Sequence, residues 1–278
     1  MNLKAAVIGL AALLSANNAN AQETTESDSR WSISVGANYR QNLMGPEVDR
    51  DMEDMNAGYS PFFAGFRPIG VDSGFFNMTL TLKRDFPITN ELGMRAVLWL
   101  AGMGGLDKEL YNETYPFCIP PPDGEQVGDA RITFNSGLVG YFNASPGAEF
   151  YYRPLDWLYV HTGVLAGVAY LQTNASLQTM LIAEPDIAEG LRNIGIPSHV
   201  NVLTESSGVG WSATLYAGLE FRFYDFGVYA NAGYVFEEIE LSSHSDVYMD
   251  GVLDEEKERQ TLQQNWGPFA ELGLSYYF

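Results

Sequence analysis

Charged residues recur on the polar side of segments in which apolar and polar residues alternate. Five cations and five carboxylates balance there, although the whole chain carries a net charge of −20. The set comprises Arg40, Lys83, Arg95, Arg153 and Arg222 with Asp85, Glu149, Glu220, Glu237 and Glu271. A set of one sign would favour ion selectivity, whereas a balanced set favours ion pairs. Because buried charges persist only when they are paired and hydrogen-bonded, we predict an internal ion-pair network.

The pairing within this set depends on the register between segments. Glu149 and Glu271 occupy matching places, each three residues after a proline and directly after an alanine. We expect both carboxylates to point inward, with Arg95, Arg153 and Arg222 as their candidate partners. Tyrosines on the same polar faces add bulk and hydroxyl partners, namely Tyr141, Tyr151, Tyr159, Tyr216, Tyr229 and Tyr277.

Three histidines are the candidates for acid–base catalysis. His161 lies on a polar face among the charged residues, and we interpret it as a hydrogen-bonded member of the interior. His199 and His244 fall in serine-rich loop segments, but proximity in sequence does not make a catalytic triad. We therefore predict no catalytic residue, no metal site and no cofactor.

The elements that position these residues are eight alternating segments. They cover residues 31–41, 73–85, 91–101, 138–153, 157–171, 209–223, 226–240 and 264–278, and the fourth starts at about 138 or already near Arg131. A period of two is that of a β-strand with two unlike faces. The last segment has one wholly apolar face: Trp266, Pro268, Ala270, Leu272, Leu274, Tyr276 and Phe278. Aromatic ends around an aliphatic middle are typical of strands that face lipid between interface girdles.

The connections between the segments alternate in length. Three are short turns, at residues 86–90, 153–156 and 224–225, and four are long, at 42–72, 102–137, 172–208 and 241–263. An even number of strands with short periplasmic turns and long extracellular loops predicts an all-β, eight-stranded antiparallel up-and-down transmembrane barrel. Weak helical spacing predicts a short helix at 186–194 in the third loop.

The four long loops hold most of the negative charge, with 22 acidic and seven basic residues, a net of −15. The acidic runs 49–54 and 254–256 offer carboxylate oxygens of the kind that divalent cations prefer. The sequence contains no twelve-residue calcium loop, so we interpret these runs as a solvated, repulsive outer face. A chain this acidic is not expected to bind nucleic acid.

The N-terminus predicts export. Lys4 is followed by a short apolar run at residues 5–14 and by the cleavage pattern Ala19-Asn20-Ala21. The run is too short for a membrane-spanning helix. We expect a signal peptide at 1–21, a periplasmic lead at 22–30 and a barrel domain at 31–278. The single cysteine, Cys118, cannot form an internal disulfide.

The chain finishes on Phe278, with Tyr276 and Leu274 at the preceding alternate positions. With the eight segments, this pattern resembles the superfamily of eight-stranded bacterial outer-membrane barrels, which includes the transmembrane domain of outer-membrane protein A and the opacity proteins. The resemblance implies that Leu274, Tyr276 and Phe278 are an assembly signal for the barrel-assembly machinery. It also implies export by the Sec pathway, periplasmic termini, and outer-membrane lipid and lipopolysaccharide as surroundings.

Eight strands leave an interior just wide enough for side chains. Balanced charges therefore favour a plugged lumen over an open pore. We expect a structural or surface-presenting role, in which the acidic loops contact an extracellular ligand or a host surface. Two alternatives remain: a narrow channel for small solutes, and a lipid A-modifying enzyme of the kind found among eight-stranded barrels.

Overall fold

The strands form a closed barrel. The computed structural model describes residues 30–41, 74–119 and 125–278. Within these ranges the strands are β1 Trp31–Gln41, β2 Gly74–Pro87, β3 Leu92–Ile119, β4 Glu125–Leu155, β5 Leu158–Ile182, β6 His199–Phe223, β7 Phe226–Met249 and β8 Val252–Tyr277. They pair antiparallel in chain order, and β1 also pairs with β8, which closes the sheet. The predicted all-β, eight-stranded up-and-down barrel is confirmed.

Burial alternates along the strands and shows which face is the inside. In β2, Asn77 and Thr79 are 1% and 2% exposed, whereas Phe76 and Met78 are 69% and 65% exposed. The polar face therefore lines the lumen and the apolar face covers the outside, the reverse of a water-soluble barrel. An outer belt of this kind matches a lipid environment.

Aromatic side chains mark both edges of the outer belt. We call the end with the three short turns, at residues 88–91, 156–157 and 224–225, the turn end, and the opposite end the extension end. Ring pairs at the turn end are Trp157 with Phe221 and Phe226 with Tyr276, and those at the extension end are Tyr39 with Phe76 and Phe236 with Trp266. Two such girdles are typical of the two membrane–water interfaces.

The prediction of four long loops is wrong for three of them. The segments 102–137, 172–208 and 241–263 are mostly strand, because β3 to β8 continue far beyond the belt. β7 and β8 pair as far as Met249 and Val252, leaving a turn at Asp250 and Gly251. These segments lack the apolar outer face used to recognise membrane strands, since a strand surrounded by water does not need one. We call these six continued strands the extension.

A helix lies at the tip of the β5–β6 hairpin. This helix, α1, runs over Pro185–Asn193, which confirms the helix predicted at 186–194. Proline in the first turn and an acidic residue, Asp186, near the N-terminus both favour a helix start. Leu191 is its buried residue. In the described part of the chain, no helix has the length and apolar character needed to cross a membrane.

Several sequence predictions concern residues outside the described ranges. They include the signal peptide at 1–21, nearly all of the lead at 22–30, the long segment 42–72 with its acidic run 49–54, and most of the proline-rich stretch after Cys118. These stay predictions. Arg30, the last residue of the lead, is described and exposed.

Two separate apolar clusters lie inside the sheet. The first occupies the extension-end half of the barrel and contains Val97, Trp99, Ala101, Leu138, Tyr141, Leu165, Ala169, Leu171, Tyr216, Val235, Ile239, Leu241 and Phe269. The second lies higher, between β3, β4 and β5 of the extension, and contains Tyr115, Ala130, Ile132, Phe134 and Leu177. The charged residues of the lumen are placed below and within the first cluster.

Candidate functional site

The lumen near the turn end is organised around Arg95 on β3. Its Nε atom donates to Oδ1 of Asp85 at 2.8 Å. Its Nη1 atom pairs with Glu149 and lies 3.1 Å from Oε2 of Glu220. Arg95 and Glu149 face each other directly in the β3–β4 register, which explains why they meet. One guanidinium thus contacts three carboxylates, in a place where the side chains are almost fully buried.

Two further cations complete this group. Arg222 on β6 lies 3.1 Å from Asp85 and 3.4 Å from Glu220. Lys83 on β2 donates to Glu149 at 3.1 Å. We call the six residues Lys83, Asp85, Arg95, Glu149, Glu220 and Arg222 the turn-end cluster. It contains three cations and three carboxylates, so its formal charge is zero.

Tyrosine rings enclose the turn-end cluster. The Arg222 guanidinium carbon lies 3.7 Å from the ring centroid of Tyr159 and 3.9 Å from that of Tyr277. Arg95 lies 4.6 Å from the ring centroid of Tyr151. Cation–π contacts of this kind gain strength when water is excluded. The rings therefore stabilise the cations and also occupy the space between them.

Glycines on the inward faces make room for these large rings. A Cβ atom on Gly93 would lie 2.3 Å from a ring atom of Tyr151, and one on Gly163 would lie 2.6 Å from the ring of Tyr216. Real Cβ atoms do not approach other atoms this closely. Pairing each ring with a cross-strand glycine lets eight strands close around bulky side chains.

A second polar group lies nearer the extension end. Arg40 on β1 pairs with Glu237 on β7 at 2.9 Å, and also hydrogen-bonds to Tyr141. Glu237 accepts from the Tyr141 hydroxyl at 2.5 Å and from Asn143 at 2.9 Å. Asn265 donates to its other oxygen at 3.3 Å. We call these five residues the Arg40 group; it supplies a second balanced ion pair.

Glu271 on β8 is buried among neutral donors. Its Oε1 atom accepts from the Thr79 hydroxyl at 2.6 Å and from the Tyr229 hydroxyl at 3.1 Å. Its Oε2 atom accepts from Asn231 at 2.9 Å, and the Trp99 indole N–H reaches Oε1 at 3.5 Å. Hydroxyl, amide and indole groups thus satisfy this carboxylate.

Two residues of the predicted network are placed differently from the expectation. None of Arg95, Arg153 and Arg222 pairs with Glu271 in the described structure, because the β7–β8 register sets Asn231 opposite that carboxylate. Arg153 lies at the end of β4, where the strand turns, and donates to the backbone carbonyl of Asn90 at 2.6 Å. The other eight charged residues lie in the two groups described above.

His161 lies inside the lumen beside the turn-end cluster. Its Nε2 atom is 2.7 Å from Oδ1 of Asn231 and 3.9 Å from Oε2 of Glu149. The amide oxygen of Asn231 accepts, so Nε2 carries the proton in this contact. The ring also stands edge-on to Tyr216 at 6.1 Å between centroids. Its contacts are those of a packed, hydrogen-bonded interior residue.

The other two histidines lie on strands of the extension, and their placement in loops is wrong. His244 is half exposed on β7, and its Nε2 atom is 3.0 Å from Oδ1 of Asp246. Ser243, next to it in sequence, bonds across the sheet to Ser206 at 2.7 Å. Alternation of the strand puts Ser243 and His244 on opposite faces.

Little free space remains between the turn-end cluster and the Arg40 group. A cavity of about 10 Å³ lies there, lined in part by Lys83, Thr214, Phe269 and Glu271. A space of this size holds about one water molecule. Side chains of the first apolar cluster, including Trp99 and Leu165, also line this cavity.

The neutral partners are the functional residues that charge counting missed. Thr79, Asn143, Asn231 and Asn265 satisfy the buried carboxylates but carry no charge themselves. Their positions in the sequence could have identified them, because each lies at an inward position of an alternating strand. The inward tyrosines were expected to supply hydroxyl groups, and Tyr141, Tyr216 and Tyr229 donate to carboxylates as expected.

No protein-family model and no curated protein matches this sequence. Among solved structures, Ail, the attachment invasion locus protein of Yersinia pestis, matches over 90% of this chain and 99% of its own, at 14% identity and a TM-score of 0.32. A major outer membrane protein from Thermus thermophilus matches over the same shares, at 13% identity and a TM-score of 0.34. Ail in complex with the heparin analogue sucrose octasulfate matches at 14% identity and a TM-score of 0.33, again over 90% and 99% of the two chains.

The architecture of this chain is established by its own closed ring of eight strand pairs. The expected eight-stranded barrel is thereby confirmed at the level of the fold.

Proposed function

We propose that this protein is an integral barrel of the bacterial outer membrane that is closed to solutes and carries a stiff, acidic extension at the cell surface. In this proposal the turn end faces the periplasm and the extension end faces outward. The observation that carries it is the filled lumen, in which paired charges, tyrosine rings and an apolar cluster succeed one another along the axis.

The outer belt supports the membrane location. Large apolar side chains are exposed on β1 to β8 between the two girdles, including Val35, Leu98, Val164, Leu215 and Leu272. A water-soluble protein rarely exposes a contiguous apolar patch of more than a few hundred Å². Lipid contact removes that cost, so a bilayer is the environment in which this surface is stable.

The balanced charge of the lumen supports a plugged barrel. Isolated buried charges cost several kcal/mol each, and the loss is offset only by close, well-hydrogen-bonded partners. Every charged residue of the turn-end cluster has such a partner within 3.4 Å. A conducting path through this level requires breaking these contacts.

The extension supports a surface-presenting role. In the sequence, the segments 102–137, 172–208 and 241–263, to which its strands belong, carry 16 acidic and five basic residues. Two hairpin tips are tied together, because Asp250 accepts from the backbone N–H of His199 at 3.0 Å and lies 3.6 Å from Arg192 of α1. A tied sheet holds its outer groups in fixed positions, which suits contact with a ligand or another surface.

The charge of the extension restricts the chemistry of such a ligand. Ail has been crystallised with a heparin analogue, which is a polyanion. A net negative extension repels polyanions, so for this chain we propose a cationic or neutral ligand rather than a sulfated one.

Conductance in planar bilayers tests the proposal. Purified barrels that insert should pass little current, and the protein should fractionate with outer membranes and migrate faster on a denaturing gel before boiling than after it. A large, steady conductance would support the narrow-channel alternative instead. Recovery as a soluble periplasmic protein would refute membrane insertion itself.

A further inference from the structure

One cation stands on the outer, lipid-facing side of the barrel. Arg84 lies on β2, three residues before the end of that strand, and it is exposed. Its neighbours at inward positions, Lys83 and Asp85, belong to the turn-end cluster, whereas Arg84 points the other way. The alternation that fills the lumen with charge therefore leaves this charge outside.

Two aromatic side chains of the turn-end girdle hold Arg84. Its guanidinium carbon lies 5.3 Å from the ring centroid of Trp31 and 5.2 Å from that of Phe86. Trp31 is its direct cross-strand partner on β1, and Phe86 follows two residues later on the same face of β2. On the other side, the partner on β3 is Ala96, whose methyl group leaves the guanidinium accessible.

The described residues provide no acidic partner for Arg84. Across the described residues, no carboxylate lies within ion-pair distance of its guanidinium, and its contacts are the two rings. Aromatic rings attract the cation but leave its five N–H groups available as hydrogen-bond donors. A planar guanidinium with free donors is the side chain that best matches a phosphate group.

The level of Arg84 along the barrel axis indicates the source of such a phosphate. The girdle aromatics mark the level of the lipid headgroups, and Trp31 and Phe86 belong to the girdle at the turn end. Arginine at this level extends its charge toward the headgroups while its stem contacts apolar surface. The anion that reaches an outward-facing guanidinium here is part of the lipid layer.

We propose that Arg84, Trp31 and Phe86 form a binding site for the phosphate of a phospholipid in the membrane leaflet at the turn end. The inference rests on the proposed membrane insertion and extends it to a specific lipid contact. The guanidinium donates to the phosphate oxygens, and the two rings fix the guanidinium and pack against the upper acyl chain.

Native mass spectrometry of the full-length barrel in neutral detergent tests this site. The probes are phosphatidylglycerol and diacylglycerol with the same acyl chains, so that only the phosphate-containing headgroup differs. Arg84→Gln removes the charge and Arg84→Lys keeps it without the planar donors. Arg192→Gln is the matched control, because it removes one exposed arginine at the opposite end of the molecule.

We expect the wild type to retain phosphatidylglycerol in preference to diacylglycerol. Arg84→Gln should weaken that retention by about tenfold, since a charge-assisted pair is lost. Arg84→Lys should fall between the two, and Arg192→Gln should match the wild type. The heat-dependent gel shift confirms that each variant is folded.

Several outcomes would overturn the site. They are equal retention by wild type and Arg84→Gln, equal losses in Arg84→Gln and Arg192→Gln, or displacement of the lipid by added inorganic phosphate, which would make the ligand free phosphate. If the barrel inserts into bilayers but Arg84→Gln keeps its lipid, only this inference fails. If the protein does not insert, the proposed function fails first.

Discussion

The barrel within its apolar belt and the extension beyond it share six strands, β3 to β8, and β4 exchanges its inner and outer faces between the two. Within the belt, β4 directs Glu149 inward and Phe150 outward. In the extension, the same strand directs Ile132 inward, 0% exposed, and Arg131 outward. The surroundings change from lipid to water along the strand, so the apolar side chains move from the outer face to the inner one.

An irregularity in β4 accompanies this exchange. Inward residues are at even positions from 130 to 138 and at odd positions from 141 onward. Val139 between them has no partner on β5, where the register shifts between Leu138 and Gly140. A bulge of one residue reverses the alternation and bends the strand. One strand thus suits both lipid and water, because the bulge changes once which alternate positions point inward.

The largest effect is expected at the centre of the turn-end cluster. Arg95→Ala leaves Asp85, Glu149 and Glu220 without the cation that joins them, and breaking a buried pair costs about 3–5 kcal/mol. Urea unfolding of the folded barrel in detergent should show this loss. Arg153→Ala, which removes an arginine outside the ion pairs, should change the free energy of unfolding far less. Equal effects would contradict the plugged interior.

The core of the extension should respond to the loss of apolar contacts. Ile132→Ala removes buried methyl and methylene groups in a water-surrounded sheet, at a cost of about 2–5 kcal/mol. Hydrogen exchange of the β4 and β5 amides in the extension should speed up, while exchange within the belt stays slow. Thr133→Ala, the neighbour on the opposite face, serves as control. Unchanged exchange would mean that this cluster does not stabilise the extension.

On the outer face of β8, the cost of an added charge should differ between the belt and the extension. Leu272→Arg places a cation at the middle of the belt, where the cost is about 2–4 kcal/mol. Gln260→Arg makes the equivalent change on an exposed position of the extension and should stay within about 0.5 kcal/mol. Unfolding of both variants in lipid vesicles provides the comparison. Similar small effects would place Leu272 in water.

Loss of the Glu271 carboxylate should lower the free energy of unfolding less than loss of a charge in the turn-end cluster. Glu271→Ala leaves the donors of Thr79, Tyr229 and Asn231 unsatisfied, at a cost of about 1–3 kcal/mol. Glu271→Gln keeps one acceptor and should recover part of that loss. Both midpoints of unfolding are compared with that of Arg95→Ala. A loss as large as that of the arginine variant would mean that Glu271 has a charged partner.

The smallest effect on stability, and a separate effect on assembly, is expected at Phe278. A charge at the interface costs only about 0–1 kcal/mol. If Leu274, Tyr276 and Phe278 form the proposed assembly signal, Phe278→Asp should nevertheless reduce the yield of folded barrel in cells. The same change at Tyr224, an exposed turn residue, is the control. Normal assembly of Phe278→Asp would refute the signal.

The sequence predicts the belt well because lipid imposes a simple rule on it. Every strand within the belt must be apolar outside, and the start and end of β1 follow directly from that alternation. The extension escapes the rule, since water accepts a polar outer face, and in β4 a bulge also reverses the alternation. Loops were therefore predicted where β3 to β8 continue as strands.

The candidate site could likewise be predicted only in part. The alternation along each strand predicts inward positions for the ten charged residues. Which of them pair depends on the register and shear of the barrel. Glu149 meets Arg95 because they are opposite in the β3–β4 ladder, whereas Glu271 is opposite Asn231. Arg153 shows a further limit, because the end of a strand can direct its side chain to the turn backbone.

The contacts between the two hairpin tips also have a mechanical consequence. Asp250 at the β7–β8 turn is joined to His199 and Arg192 of the β5–β6 hairpin. A force applied to one tip is therefore shared by both hairpins and passed down four strands instead of two. The extension therefore transmits a pull on either tip as one plate, and the load reaches the barrel along the continuous backbones of β5 to β8.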